Sequence, residues 1–117
     1  MEYEIRRVGD VAIIDLSGRI TFHELSALEP DGTILRKIIR ELLAEGHRKV
    51  VLNLAKVTHI DSSGVNELVR ASATVRNKGG QLRIANSSVA VREIFQVTKL
   101  DTILDMSLDE ATALQSF

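Results

Sequence analysis

Apolar and polar residues alternate at the start of the chain. Tyr3 and Ile5 are separated by Glu4 and Arg6, and a period of two predicts a strand. Gly9-Asp10 predicts a tight turn. Val11–Leu16 predicts a second strand that pairs with the first as an antiparallel hairpin and stops at Gly18. Residues Ile20–Thr33 carry no clear period. Phe22, Leu25 and Leu28 fit the start of a helical turn, which Pro30-Asp31-Gly32 interrupts.

The helical signal is strong from Thr33 onward. Leu35, Ile38, Ile39 and Leu42 recur at helical spacing, with Arg36, Lys37, Arg40 and Glu41 on the other side and Gly46 as the stop. Val50–Leu54 is a short, nearly continuous apolar run, as expected of a strand buried on both edges or on both faces. Val57 and Ile60 lead into Asp61-Ser62-Ser63-Gly64. A second helix follows with Val65, Leu68, Val69, Ser72 and Val75 on one side, and Lys78-Gly79-Gly80 ends it. Gln81–Ala85 predicts a strand. Ser87 or Ser88 is expected to cap a third helix bearing Val91, Ile94 and Phe95. Ile103–Met106 predicts a last strand. Ser107 and Glu110 fit a capping box for a final helix with Ala111, Leu114 and Phe117 inward.

The predicted order is β-β-α-β-α-β-α-β-α. A hairpin followed by alternating strands and helices implies an α/β fold on a mixed sheet, parallel in its later part. A chain of 117 residues has room for one domain, taken as residues 1–117, and no repeat or linker divides it. Its 44% of hydrophobic residues suffices for a packed core without a metal or disulfide, and cysteine is absent.

Charge narrows the function classes. Fifteen basic residues against sixteen acidic ones leave a formal charge of -1, which gives no support to a nucleic-acid groove or a polybasic membrane patch. Aromatic residues are 3%, too sparse for a base-stacking platform. The longest stretch free of Asp, Glu, Lys and Arg runs from Ile84 to Val91, far short of the roughly 20 apolar residues that membrane insertion requires. The charged N-terminus does not read as a signal peptide, so a cytoplasmic location is the simplest expectation.

Candidate chemistry is sparse. His23, His47 and His59 lack the spacing of a helical metal site, so no metal is expected; His47, beyond the Gly46 stop, is expected in solvent. His59, Asp61 and Ser62 lie too close along one segment for an imidazole to sit between carboxylate and hydroxyl, so no catalytic triad and no enzyme is expected. Gly79-Gly80 lacks phosphate-loop spacing, so no nucleotide or other cofactor is expected either. Arg70, Arg76, Lys78 and Arg83 read as solvated charges. Asp61-Ser62-Ser63-Gly64 is the most informative tetrapeptide. It opens a helix, where free amides and the macrodipole favour an anion. An ordinary N-cap is the plainer reading of these residues; a site for a phosphate or a partner is the other.

The Val50–Leu54 strand, the run Val57-Thr58-His59-Ile60-Asp61-Ser62-Ser63-Gly64, the Gly79-Gly80-Gln81-Leu82 lead-in and Val91-Arg92-Glu93-Ile94-Phe95 together resemble the STAS domain of anti-sigma-factor antagonists, over essentially the whole chain. The resemblance implies a mixed sheet of about four or five strands with helices packed on it. It also implies a partner switch. The unphosphorylated antagonist binds an anti-sigma factor that is also a serine kinase, and so frees the sigma factor. Phosphorylation of the serine after the Asp, here Ser62, ends the binding, and a PP2C-type phosphatase reverses it. Asp61 and Ser63 would shape the surroundings of Ser62, and Gly64 would keep the approach open. The chain departs from the family pattern at two places. A Gly-Glu-Leu/Ile-Asp segment reads Gly18-Arg19-Ile20-Thr21, which removes both acids from the surface that meets the kinase. Asn66 replaces a second glycine and adds a side chain beside Ser62. The alternative implied function is a STAS module that is never phosphorylated and serves as a scaffold or as a subunit of a lipid-transport complex.

Overall fold

A computed structural model describes residues 1–117. Five strands and five helices follow the order β1 (Glu2–Val8), β2 (Val11–Ile20), α1 (Phe22–Leu28), α2 (Ile34–Ala44), β3 (Lys49–Ile60), α3 (Ser62–Asn77), β4 (Gln81–Ala85), α4 (Val89–Val97), β5 (Met106–Ser107) and α5 (Glu110–Gln115), with a 3-10 turn at Leu100–Thr102. The sheet runs β1-β2-β3-β4-β5. β1 is antiparallel to β2 and every later pair is parallel, so each crossover carries a helix.

Alternation along the strands divides the core in two. Ala12, Ile14 and Leu16 of β2, Val50, Leu52 and Leu54 of β3, and Leu82 and Ile84 of β4 belong to a cluster of 24 buried residues. The apolar stripes of α2 and α3 and Phe95 of α4 complete it. On the opposite face Val11, Ile13, Val51 and Ala85 meet Ala113 of α5, with Leu114 and Phe117 packed beside them. The β3 strand is apolar on both faces because helices lie on both. Where α5 stops covering that second face, the sheet turns polar. Asp15 accepts hydrogen bonds from Arg6 (2.9 Å) and from the Asn53 amide (2.8 Å), while Asn86 donates to Asn53 Oδ1 at 3.1 Å. Asn53 thus joins three successive segments of the sheet.

Several expectations require correction. β2 does not stop at Gly18 but runs on to Ile20. Its pairing with β3 slips between Asp15 and Ser17 and again between Gly18 and Arg19, and Gly18 takes φ 84° within this irregularity. The glycine marks a bulge rather than an end. β3 extends to Ile60, well past Leu54, because the continued β2 gives it a partner. The unassigned stretch contains α1, which ends before Pro30. Residues 103–106 are not one strand. A 3-10 turn precedes Ile103, Lys99 is left-handed at φ 59°, and only Met106 and Ser107 pair with β4. The capping box is not formed either. Ser107 is engaged in β5, Asp109 accepts the Thr112 amide at 2.8 Å, and Glu110 pairs with Arg6. Leu114 and Phe117 pack on the sheet as expected, but the fully buried residue of the helix is Ala113, and Ala111 is exposed. His47 is half-buried beside Glu45 and Arg7 rather than free in solvent, and Arg83 is likewise engaged, with Asp105 and Ser116.

Candidate functional site

The end of β3 delivers the tetrapeptide to the rim of the sheet. Asp61 has an extended backbone and caps α3: its Oδ1 accepts the Gly64 amide at 2.9 Å. The cap is therefore the aspartate, and no serine serves as one. The other oxygen, Oδ2, accepts the Phe22 amide at 3.0 Å, at the start of α1. One carboxylate thus satisfies free amides of two helices. Thr21 is the N-cap of α1 but gives it no side-chain bond, so Asp61 takes over that task.

Gly64 is buried. A Cβ placed on it would lie 2.0 Å from the Ile20 carbonyl oxygen and 2.8 Å from the Ile60 side chain. The close approach that this glycine permits is the internal packing of α3 on the end of β2. The Asp61 amide reaches the same carbonyl, at 3.3 Å.

Ser62 is exposed in the first turn of α3, and Asn66 is exposed one turn later. Ser63 and Thr21 are half-buried. The two serines face different hollows. Ser62 lies on the rim of a groove of about 380 Å³ whose apolar lining is Ile60, Val65, Val69, Ile94 and Leu100. Ser63 lines a smaller hollow of about 180 Å³ with Asp31, Arg36 and Arg70. Asn66 borders both. Beneath the second hollow, Glu67 is 4% exposed and pairs with Arg36 at 2.9 Å, while its Oε2 has no hydrogen-bond partner.

No triad is assembled. Both Asp61 oxygens are occupied by backbone amides, and His59 Nδ1 lies 3.0 Å from the Thr58 hydroxyl. No cluster of His, Asp and Glu is arranged to hold a metal, and no helix is long and apolar enough to cross a membrane. What the arrangement offers is an exposed hydroxyl beside a helix N-terminus, bordered by an apolar groove.

Asp61, Ser62, Ser63, Gly64, Thr21 and Asn66, the six residues expected at the site, all lie around the α3 start. Two further residues belong to it without a local signal: Phe22, whose amide is bound by Asp61, and Leu100, which reaches the groove through the 3-10 turn. Ile94 was expected only as a packing residue of α4. Its spacing from Val91 and Phe95 places it at the border of the buried stripe, the one local signal that it could also line a surface.

Comparison with known proteins agrees with this architecture. The STAS domain family model matches residues 2–113. The anti-sigma-B factor antagonist of Bacillus subtilis (strain 168) is 30% identical over 73 residues, which covers 62% of this chain and 67% of that protein. Among solved structures, the Thermotoga maritima protein TM1081 superposes with a TM-score of 0.82 at 20% identity, covering 97% of this chain and 92% of that one. The Bacillus cell fate determinant SpoIIAA in its phosphorylated form gives a TM-score of 0.69 at 19% identity, covering 99% of this chain and all of the other (100%). The five-stranded mixed sheet, the helix start after β3 and these matches together place the chain in the STAS domain family, with the anti-sigma factor antagonists among its relatives.

Proposed function

We propose that this protein is a phosphorylation-switched anti-sigma-factor antagonist, and that Ser62 is its switch. The observation that carries the reading is the exposure of Ser62 at the N-terminal turn of α3, where Asp61 and not the serine provides the cap. The hydroxyl is free of structural duty, and a kinase can reach it. A phosphate placed there meets the positive end of a helix macrodipole. SpoIIAA, a structural relative, exists in a phosphorylated form.

In this reading the unphosphorylated protein binds an anti-sigma factor that is also an ATP-dependent serine kinase. The apolar groove beside Ser62 receives apolar side chains of that partner. A PP2C-type phosphatase removes the phosphate. The domain is an acceptor of phosphate and a binding module, not an enzyme, and it acts in the cytoplasm. The segment Gly18–Thr21 gives the kinase no acid, so the groove, Asn66 and the Ser62 hydroxyl carry its recognition. The reading is tested by incubating the protein with the cognate kinase and ATP and mapping the phosphopeptide. Phosphate on Ser62 is expected; phosphate only on Ser63, or on neither, overturns the reading.

A further inference from the structure

β1 closes one end of the sheet over seven residues, while β5 closes the other over two. A long open edge offers unpaired amides and carbonyls to another strand. The two-residue loop Gly9-Asp10 makes Val8 and Val11 a hydrogen-bonded pair. Alternation then turns the backbone groups of Arg6, Glu4 and Glu2 toward β2, and those of Arg7, Ile5 and Tyr3 toward the open edge.

We propose that this edge pairs antiparallel with the same edge of a second copy, centred on Ile5, and joins the two five-stranded sheets into one. In that register Ile5 of one copy opposes Ile5 of the other, and Tyr3 opposes Arg7. All the outward-facing groups are used, in about six backbone hydrogen bonds. The side chains select the register. Acids occupy the first half of β1 and bases the second, so a twofold axis at Ile5 sets Glu4 against Arg6 on both sides. A slip of two residues in either direction would oppose Glu4 to Glu4 or Arg6 to Arg6. A slip of one would oppose outward-facing groups to inward-facing ones. Arg6 already donates to Asp15 and Glu110, which fixes its guanidinium and leaves one N–H for Glu4 of the other copy, so the pair selects the register chiefly by avoiding the like-charge alternatives. The pairing uses residues 2–8 and none of those around Ser62. Such a narrow interface gives a weak dimer that depends on concentration.

Sedimentation equilibrium of the full chain, up to about 1 mM, should show a monomer–dimer equilibrium. Amide exchange followed by NMR should show Tyr3, Ile5 and Arg7 gaining protection as concentration rises, while Glu4 and Arg6 are protected throughout. Glu4→Arg should raise the dimer dissociation constant at least about tenfold, equivalent to about 1.4 kcal/mol, and abolish the gained protection. Glu4 is exposed in the single copy, so circular dichroism of the variant should match wild type. A monomer at the highest concentration, association that Glu4→Arg leaves unchanged, or protection gained elsewhere than at Tyr3, Ile5 and Arg7 would overturn the proposal.

Discussion

The Asp61 carboxylate accepts the Phe22 amide at 3.0 Å across thirty-nine residues of chain. The same carboxylate caps α3 through Gly64. Asp61→Ala therefore strands amides at the starts of both α1 and α3, and about 2–3 kcal/mol of stability should be lost. Ser62→Ala removes no cap and lies on the surface, so its effect should stay within about 0.5 kcal/mol. Urea melts of the two variants distinguish the neighbours. Equal losses would mean that Ser62 shares the capping.

The Arg36–Glu67 pair makes a second, independent prediction. Glu67 is buried, and Arg36 is its one partner. Arg36→Ala leaves a buried carboxylate uncompensated, at a cost of roughly 3–5 kcal/mol. Arg36→Met combined with Glu67→Leu replaces both charges by apolar groups of similar size, and most of that loss should be recovered. Denaturant melts of the single and double variants test this. A double variant less stable than Arg36→Ala would show that the pair contributes net stability beyond its own desolvation.

Acid sensitivity should be centred on the polar face of the sheet. The Arg6 guanidinium, aided by the Asn53 amide, holds the Asp15 carboxyl below its ordinary pKa. A depressed folded-state value contributes stability above the unfolded pKa and loses it as pH falls through the folded one. Wild type should therefore lose stability on acidification below about pH 4, and Asp15→Asn should show a flatter profile over the same range. Chemical melts at a series of pH values between neutrality and acid provide the measurement. Parallel profiles would place the acid-sensitive group elsewhere.

The same polar face shows why parts of the fold were hidden in the sequence. Local pattern was enough for α2 and the centre of β3, where burial sets it directly, and alternation located β1 although only Ile5 is half-buried there. The tetrapeptide itself located the start of α3, because Asp61 caps it through Gly64, three positions away. The Asp61–Phe22 bond was not legible, since nothing near Phe22 signals a carboxylate from beyond β3. The continuation of β2 past Gly18 was hidden for a similar reason: a positive-φ glycine reads as a stop unless the neighbouring strand is known. At the C-terminal end, Ser107 and Glu110 have the spacing of a capping box. Tertiary partners claim both, β4 through the sheet and Arg6 through an ion pair.

The switch itself leads to the most demanding prediction. A phosphoserine carries about -1.5 to -2 charge near neutral pH. Within the free domain the α3 terminus accommodates that charge, so phosphorylation should not unfold the protein. Docking is different. Ser62 stands on the rim of a groove lined by Ile60, Val65, Val69, Ile94 and Leu100. A partner seated there must strip water from whatever Ser62 carries, and a buried unpaired charge costs several kcal/mol. Ser62→Asp should therefore weaken binding to the anti-sigma partner by at least about tenfold, while Ser62→Ala binds constitutively. Calorimetric titration of wild type and both variants gives the affinities. Circular dichroism separates lost binding from lost structure. A parallel variant, Val69→Asp, puts charge into the groove away from the hydroxyl and should weaken binding even when Ser62 is intact. Equal affinities for the Ser62 variants, with Val69→Asp still impaired, would keep the groove as the docking surface and remove Ser62 as the switch. Equal affinities throughout would instead favour a scaffold that is never phosphorylated.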